Sequence, residues 1–239
     1  MTPLEIIRRA RSHELFDGDG RAVALELLPG LSQTELRDFA RRVPCPVPSA
    51  IEELLGACRG FRGTVPRVDF EGRDFAFEFE EVFPHGLPIA ADGRGNFWVV
   101  DLHPHTTTWG PIYFACHDPP VIVYQADSLE RFLDELFRMF GPPHRSLVGE
   151  VREEGAARVW RVNPGALPRE RCLQSGDPIL SAFAAELEEG FLVVDLRRAK
   201  PGDGFSWGRY GPDTVVERFG AHAVFAYRRP RRSIFRRMR

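Results

Sequence analysis

The feature that most constrains the fold is a change in the spacing of apolar residues, which becomes a period of two between residues 64 and 126. Phe75, Phe77 and Phe79 alternate with small or acidic residues, and this alternation predicts a half-buried strand. Residues 87–90 and 96–102 flank Asp92-Gly93-Arg94-Gly95, whose glycines permit the positive φ angles of a tight hairpin. Two further strands are predicted near residues 111–116 and 121–124.

Helices are predicted before this sheet. The dipeptide Thr2-Pro3 begins an amphipathic helix that extends to about residue 15, since Thr can cap a helix and Pro suits its first position. Ser32 and Glu35 form a capping box, in which hydroxyl and carboxylate each satisfy a backbone donor of the first turn. Ser49 and Glu52 repeat the pattern and predict a third helix.

A further amphipathic helix is predicted after the sheet, with Asp127 and Glu130 at its start. Its apolar stripe consists of Leu129, Phe132, Leu133, Leu136, Phe137 and Phe140. Gly141-Pro142-Pro143 ends this helix and marks the predicted domain boundary.

The remaining sequence predicts a second, smaller α+β domain. Its elements are a strand at 157–162, a helix at 178–189 and strands at 191–196, 214–219 and 222–228. The predicted fold class is therefore α+β, with an antiparallel sheet packed against helices. The predicted domains are residues 1–143 and 144–230, followed by an Arg-rich tail at 231–239.

Charge and cysteine usage exclude several classes of protein. The formal net charge is -2, so no whole-molecule field attracts nucleic acid. The seven arginines between residues 228 and 239 are the one basic concentration, and they could contact an acidic partner or form a solvated end. Four widely spaced cysteines suggest neither a disulfide framework nor a zinc site. With no signal peptide or membrane span in the sequence, we expect a soluble cytoplasmic protein.

The segment from about residue 32 to residue 140 resembles the SUKH (Smi/Knr-like) superfamily. The resemblance rests on Leu87-Pro88-Ile89-Ala90-Ala91-Asp92-Gly93-Arg94-Gly95-Asn96-Phe97-Trp98-Val99-Val100-Asp101-Leu102, on Trp109-Gly110-Pro111-Ile112-Tyr113 and on Ser128-Leu129-Glu130-Arg131-Phe132-Leu133. The order of the opening helices is also similar. About a hundred C-terminal residues lie outside the match.

This resemblance implies a protein-binding module without catalytic residues or cofactor. Members of the superfamily include bacterial immunity proteins that bind and neutralise toxins, often nucleases or deaminases. We therefore expect a cognate protein toxin as partner, with no role for a membrane or nucleic acid. Pairing of a sheet edge could also give a homodimer. The alternatives are a scaffold or regulatory domain with an endogenous partner, and an enzyme, either metal-dependent or a serine hydrolase.

An acidic segment is the first candidate contact surface. Its carboxylates could mimic phosphate toward a basic toxin and accelerate association. The simpler interpretation is a solvated sheet face or an edge protected by charge, and it is favoured. The candidate residues are Glu71, Asp74, Glu78, Glu80 and Glu81.

Histidines in the segment 102–108 raise a metal-site hypothesis. His103 and His105 flank a proline, and His85, His117 and Asp118 occur elsewhere. Imidazole and carboxylate are suitable zinc or nickel ligands. Because the helical spacings typical of catalytic zinc are missing, an incidental histidine cluster is favoured and no metal is predicted.

The sequence Gly204-Phe205-Ser206-Trp207-Gly208 matches the G-x-S-x-G pattern of serine hydrolases. The surrounding glycines and prolines predict a loop, whereas a nucleophile elbow needs a strand before the serine and a helix after it. No catalytic role is therefore assigned to Ser206. Trp207, Arg209 and Tyr210 are residue types common in binding hot spots. Alternatively, these rings fill the seam between the two domains.

Overall fold

The computed structural model describes residues 1–63, 66–77, 79–104 and 109–230. In chain order the strands are β1 (Leu15–Phe16), β2 (Ala22–Val23), β3 (Glu26–Pro29), β4 (Cys58–Arg62), β5 (Arg67–Asp69), β6 (Gly86–Ala91), β7 (Phe97–Asp101), β8 (Ile112–Cys116), β9 (Val121–Ala126), β10 (Leu167–Pro168), β11 (Leu192–Asp195), β12 (Gly204–Phe205), β13 (Val215–Arg218) and β14 (Val224–Arg228). The helices are α1 (Pro3–Arg11), α2 (Gln33–Arg42), α3 (Ser49–Ala57), α4 (Leu129–Arg138), α5 (Leu147–Glu150), α6 (Ala156–Val162), α7 (Arg169–Leu173) and α8 (Pro178–Glu186), and a π-helical turn at Val151–Gly155 joins α5 to α6. The predicted α+β class is confirmed.

The main sheet is antiparallel, with the strand order β12-β9-β8-β7-β6-β5-β4-β3. A second antiparallel sheet has the order β10-β11-β14-β13, and β1 pairs with β2. Strand β12 comes from the C-terminal segment, yet it pairs with β9 through Gly204 opposite Val123. The division at residue 143 stays a prediction, and the chain beyond it contributes a strand to the main sheet.

The predicted hairpin is confirmed as β6 and β7, in which Ala91 lies opposite Phe97. Gly93 and Gly95 have φ angles of 78° and 82°, a left-handed conformation that favours glycine. The backbone N–H of Arg94 donates to the Asp92 carboxylate at 2.9 Å. The turn is therefore specified locally.

Of the predicted caps of the first four long helices, α1 to α4, two are confirmed and two are wrong. Thr2 caps α1 as expected, and Glu5 completes a capping box there that was not predicted from the sequence. Ser32 forms the expected capping box of α2. Helix α3 begins one residue earlier than its predicted box requires, because Pro48, whose ring holds φ near −65°, occupies the N-cap and leaves Ser49 inside the helix. Ser128, not Asp127, caps α4.

The first core layer lies between one face of the main sheet and the N-terminal helices. Helix α1 contacts α3 and α4, and the apolar stripe of α4 is buried as expected. Trp98 of β7 has a ring centroid 4.8 Å from that of Phe114 and 6.1 Å from that of Phe132 of α4. Burial of these rings supplies much of the apolar area that drives folding.

The segment predicted as a strand at 157–162 is helix α6, so this prediction was wrong. Ala156 and Val159 lie three residues apart and are both buried, and α6 packs against β9. The valines at 159 and 162 favour a strand locally. The burial of one helical face outweighs that preference, since propensity is a weak bias compared with tertiary packing.

The predicted strand around residues 75–79 is also wrong. Phe75, Phe77 and Phe79 lie in an irregular loop, and each has its ring centroid about 6 Å from that of Phe97. The alternation therefore reflects three rings packed on one side of the chain. Side-chain contacts, not strand pairing, hold the described part of this loop on the sheet.

The opposite face of the main sheet is covered by the C-terminal sheet. Phe83 and Tyr113 contact Phe225 of β14, and the Phe205 ring stacks on that of Phe225 at 4.9 Å. A buried ion pair crosses the same contact, because the Arg218 guanidinium donates to both Asp101 carboxylate oxygens at 2.9 and 2.7 Å. The two halves of the chain thus share a continuous second core.

Candidate partner-binding surface

The acidic candidates have two different environments. The Glu71 side chain is only 2% exposed and lies 2.6 Å from Arg73, 3.0 Å from Arg42 and 3.6 Å from Arg59. Paired carboxylates of this kind hold a loop in place and do not reach a partner. Asp74, by contrast, retains 30% of its side-chain exposure beside Arg67.

Glu80 and Glu81 are exposed on the same loop. Glu78 lies outside the described residues, as do His105 and the tail at 231–239. The surface-accessible members of the predicted acidic set are therefore Asp74, Glu80 and Glu81. Their role in binding stays a prediction.

The aromatic candidates at 207–210 contact other parts of the chain. The indole N–H of Trp207 donates to the Cys116 carbonyl at 3.1 Å. The Arg209 guanidinium donates to the Trp160 carbonyl and lies over the Trp160 ring. Tyr210 is half-buried, with its ring 6.3 Å from that of Tyr227. These contacts order the segment, and its outer atoms stay accessible.

The acidic loop and the aromatic segment meet in space. The Phe79 ring contacts both the Phe97 ring and the Trp207 ring, the latter edge-to-face at 5.4 Å. Phe97 is the first residue of β7 and directly follows the β6–β7 turn. The Trp207 indole is hydrogen-bonded to the last residue of β8. We call this edge of the main sheet, with the turns at 92–96 and 117–120 and the exposed part of the acidic loop, the turn end.

A groove of about 900 Å³ opens at the turn end. Its apolar walls include Phe114, Met139 and Phe140. Its polar lining carries four carboxylates, Asp17, Asp92, Asp118 and Glu153, against two guanidinium groups, Arg94 and Arg152. The groove therefore has an excess of negative charge above an apolar floor, a combination suited to a basic protein segment.

The turns that line this groove are held by side-chain hydrogen bonds. The Asn96 amide donates to the Asp92 carboxylate at 2.7 Å. The Asn96 side-chain oxygen in turn accepts from the His117 backbone N–H at 2.9 Å. This link joins the β6–β7 turn to the β8–β9 turn, so the groove offers a preorganised surface. Preorganisation reduces the entropy lost on binding.

Among the described residues of this region, neither Cys116 nor Ser206 is placed as an activated nucleophile. Burial raises the pKa of the Cys116 thiol to about 11, so the thiol stays protonated at neutral pH. Ser206 is fully buried, and its hydroxyl points to the Val159 carbonyl at 3.4 Å. A two-residue strand precedes Ser206, but a turn follows it, so the context of a nucleophile elbow is missing here.

The His103 imidazole is hydrogen-bonded within the protein. Its Nε2 accepts a hydrogen bond from Arg218 at 2.6 Å, and the Asp101 carboxylate lies 3.6 Å away. An imidazole nitrogen used as an acceptor for arginine is not available to a metal. Within the described part of the chain, no three His, Cys, Asp or Glu side chains cluster as metal ligands.

Part of the chain matches a known protein family. Residues 30–135 match the SMI1 / KNR4 family (SUKH-1). These residues form a SUKH domain. Its bounds contain α2, α3, strands β4 to β9 and most of α4, so it includes the hairpin and the acidic loop of the turn end. The comparisons with curated proteins and with solved structures gave no match.

Several features of the turn end lie outside the SUKH domain. Asp17, Glu153 and Trp207 come from segments before or after it. Sequence reasoning missed Asp17, Asp92 and Glu153 as groove residues, because they are distant along the chain and no local pattern connects them. It identified Asp118 only as a metal candidate. Among the described residues, no helix combines the length and apolar character needed to cross a membrane.

Proposed function

We propose that this protein is a bacterial immunity protein that neutralises a cognate toxin by direct binding, without catalysis. The match of residues 30–135 to the SUKH-1 family carries the proposal. Immunity by binding requires a stable docking surface and no turnover. The buried Ser206 and the protonated Cys116 thiol agree with such a role. The free, buried state of all four cysteines suits the reducing cytoplasm.

The turn end is the proposed contact surface. Its groove joins apolar walls to an excess of carboxylates. Asp74, Glu80 and Glu81 are further exposed or partly exposed carboxylates, on the loop that contacts Phe97 and Trp207. Such a surface complements a basic toxin, for example one that acts on nucleic acid. Charge complementarity mainly raises the association rate and selects the partner, while the apolar floor and the Trp207 region supply contact area.

The direct test is co-expression with a candidate toxin, and a secreted toxin encoded directly beside this gene would be the first choice. We expect the protein to restore growth and to co-purify with the toxin. Turnover of a substrate by the pure protein, abolished by one polar substitution, would contradict the proposal. Binding to an endogenous protein without rescue would instead indicate a scaffold or regulatory role. Size-exclusion chromatography of the free protein tests for the homodimer.

Charge reversal tests the contact surface. Asp118→Lys and Glu153→Lys alter the exposed rim of the groove and leave the hydrogen-bonded Asp92 intact. We expect a slower association rate and a weaker dependence of that rate on salt. The matched control is Glu53→Lys, an exposed acidic residue of α3 that does not line the groove. Equal effects of control and rim variants would refute the proposed surface.

A further inference from the structure

The Arg-rich tail combines positive charge with apolar side chains, and the proposed function makes no use of it. Its sequence is Arg231-Arg232-Ser233-Ile234-Phe235-Arg236-Arg237-Met238-Arg239, with five arginines and no acidic residue. Ile234 and Phe235 stand between two pairs of arginines. A surface complementary to such a segment has carboxylates around an apolar floor.

The turn-end groove carries negative charge that the described residues leave unpaired. Asp17, Asp92 and Asp118 line the groove, and none of the three has an ion pair among the described residues. Asp17 and Asp92 accept hydrogen bonds from backbone N–H groups of their own turns. Asp118 is exposed. All three carboxylates are therefore available to cations of an incoming segment.

The guanidinium groups of the lining do not balance these aspartates. Arg152 lies 2.7 Å from Glu153, the fourth carboxylate, so this pair adds little net charge. Arg94 is then the one cation of the lining that stands against three aspartates. Phe114 and Phe140 form part of the apolar floor. The groove thus matches the Arg-rich tail in apolar character and is opposite to it in charge.

The described chain ends close to this groove. After β14, the Arg229 guanidinium lies over the Tyr210 ring, 5.1 Å from its centroid. Two residues before Tyr210, the Gly208 N–H donates to the Pro120 carbonyl at 3.4 Å, and the adjacent Pro119 lines the groove. Nine extended residues, the length of the tail, span about 30 Å. The tail is therefore long enough to reach the groove of its own chain.

We propose that the Arg-rich tail binds in the turn-end groove of its own chain. The arginine pairs on either side of Ile234 and Phe235 contact the groove aspartates, and these two apolar side chains contact the floor. Attachment beside the groove gives the tail an effective concentration on the order of 1 mM, so a weak contact is enough to fill the groove.

Docking of the tail regulates the surface proposed for toxin binding. A basic toxin segment must displace the tail before it occupies the groove, so only a partner that makes better contacts competes with it. This regulatory consequence rests on the proposed function, whereas the docking itself does not. The docking is therefore tested without a toxin.

A nitroxide spin label attached to Ser233→Cys in the full-length protein measures where the tail lies. The four native cysteines are buried, so a thiol reagent modifies the new cysteine selectively. The nitroxide broadens the NMR signals of nearby amide groups. We expect the amide signals of Asp17 and Arg94, which line the groove, to lose most of their intensity. The signal of Phe39 in α2, which contacts Trp109 ahead of β8, should keep its intensity.

Charge-reversed variants separate docking from simple attachment beside the groove. Asp118→Lys in the groove, and Arg236→Glu combined with Arg237→Glu in the tail, should each restore most of the lost intensity. The matched control Glu53→Lys, on α3 and outside the groove, should not.

Three results would overturn the proposal. They are no broadening in the labelled parent, broadening that persists in the charge-reversed variants, and broadening that arises only between mixed spin-labelled and ¹⁵N-labelled copies. The last result would assign the tail to a neighbouring molecule. Docking of the tail without binding of any toxin would contradict the proposed function and leave this inference supported.

Discussion

Loss of one member of the ion pair between Asp101 and Arg218 should destabilise the protein strongly. The pair joins β7 of the SUKH domain to β13, and both side chains are more than 95% buried, at 3% and 4% exposure. The Arg218 guanidinium also donates to the Val82 carbonyl at 3.1 Å and to His103. Arg218→Met removes these bonds and leaves the Asp101 carboxylate buried without its partner.

The expected cost follows from that burial. Loss of one member of a buried pair destabilises a protein by about 3–5 kcal/mol, because the remaining charge is uncompensated. Replacement of both members by apolar side chains is often close to neutral. Asp101→Leu combined with Arg218→Met should therefore be more stable than Arg218→Met alone. Two destabilising substitutions usually add their losses of stability. The specific prediction is that here the second substitution restores stability.

Urea unfolding followed by tryptophan fluorescence measures these differences. The matched control is Arg41→Met, which removes an exposed ion pair with Asp38 whose side chains are 76% and 51% exposed. Exposed pairs contribute at most about 1 kcal/mol. If Arg218→Met costs no more than Arg41→Met, or if the double variant is less stable than Arg218→Met, the reasoning from buried charge is refuted.

Two further predictions concern titratable groups. The Arg197 guanidinium and the N–H groups at the start of α8 lower the pKa of Asp177 to about 2 from its usual 3.8. Its contribution to stability is therefore present above pH 3.8 and lost as the pH falls toward 2, and the difference between wild type and Asp177→Ala in urea midpoints should shrink over this range. An unchanged difference would contradict this account. The Cys116 thiol, whose pKa is raised to about 11 by burial, should react slowly with a disulfide reagent at pH 8 and rapidly in urea. Rapid reaction of the native protein, absent in Cys116→Ala, would show that the thiol is accessible.

The elements that could be predicted from sequence are those specified by neighbouring residues. The β6–β7 turn depends on two glycines with positive φ, and the caps at Thr2 and Ser32 depend on residues three positions away. The apolar stripe of α4 is likewise a local pattern. In contrast, the segment at 156–162 has β-branched residues that favour a strand, and contact with β9 makes it a helix.

The candidate surfaces were less accessible to sequence reasoning. Glu71 and Glu80 belong to the same acidic segment of the sequence. In the fold, Glu71 is enclosed by three arginines, whereas Glu80 is exposed. The turn-end groove brings Asp17, Asp92 and Glu153 together from three distant segments. No periodicity or spacing along the chain indicates that these three residues lie close together in the fold.

The amino-acid sequence alone determined the α+β class, the hairpin, most helix faces and the resemblance to the SUKH superfamily, because these depend on residues close together in the chain. Tertiary structure decided which charges are buried, how the C-terminal segment extends the main sheet, and which carboxylates meet in the turn-end groove. Those properties arise when distant segments exclude water from one another. Burial then changes the free energy of a polar or charged group by more than its local sequence can indicate.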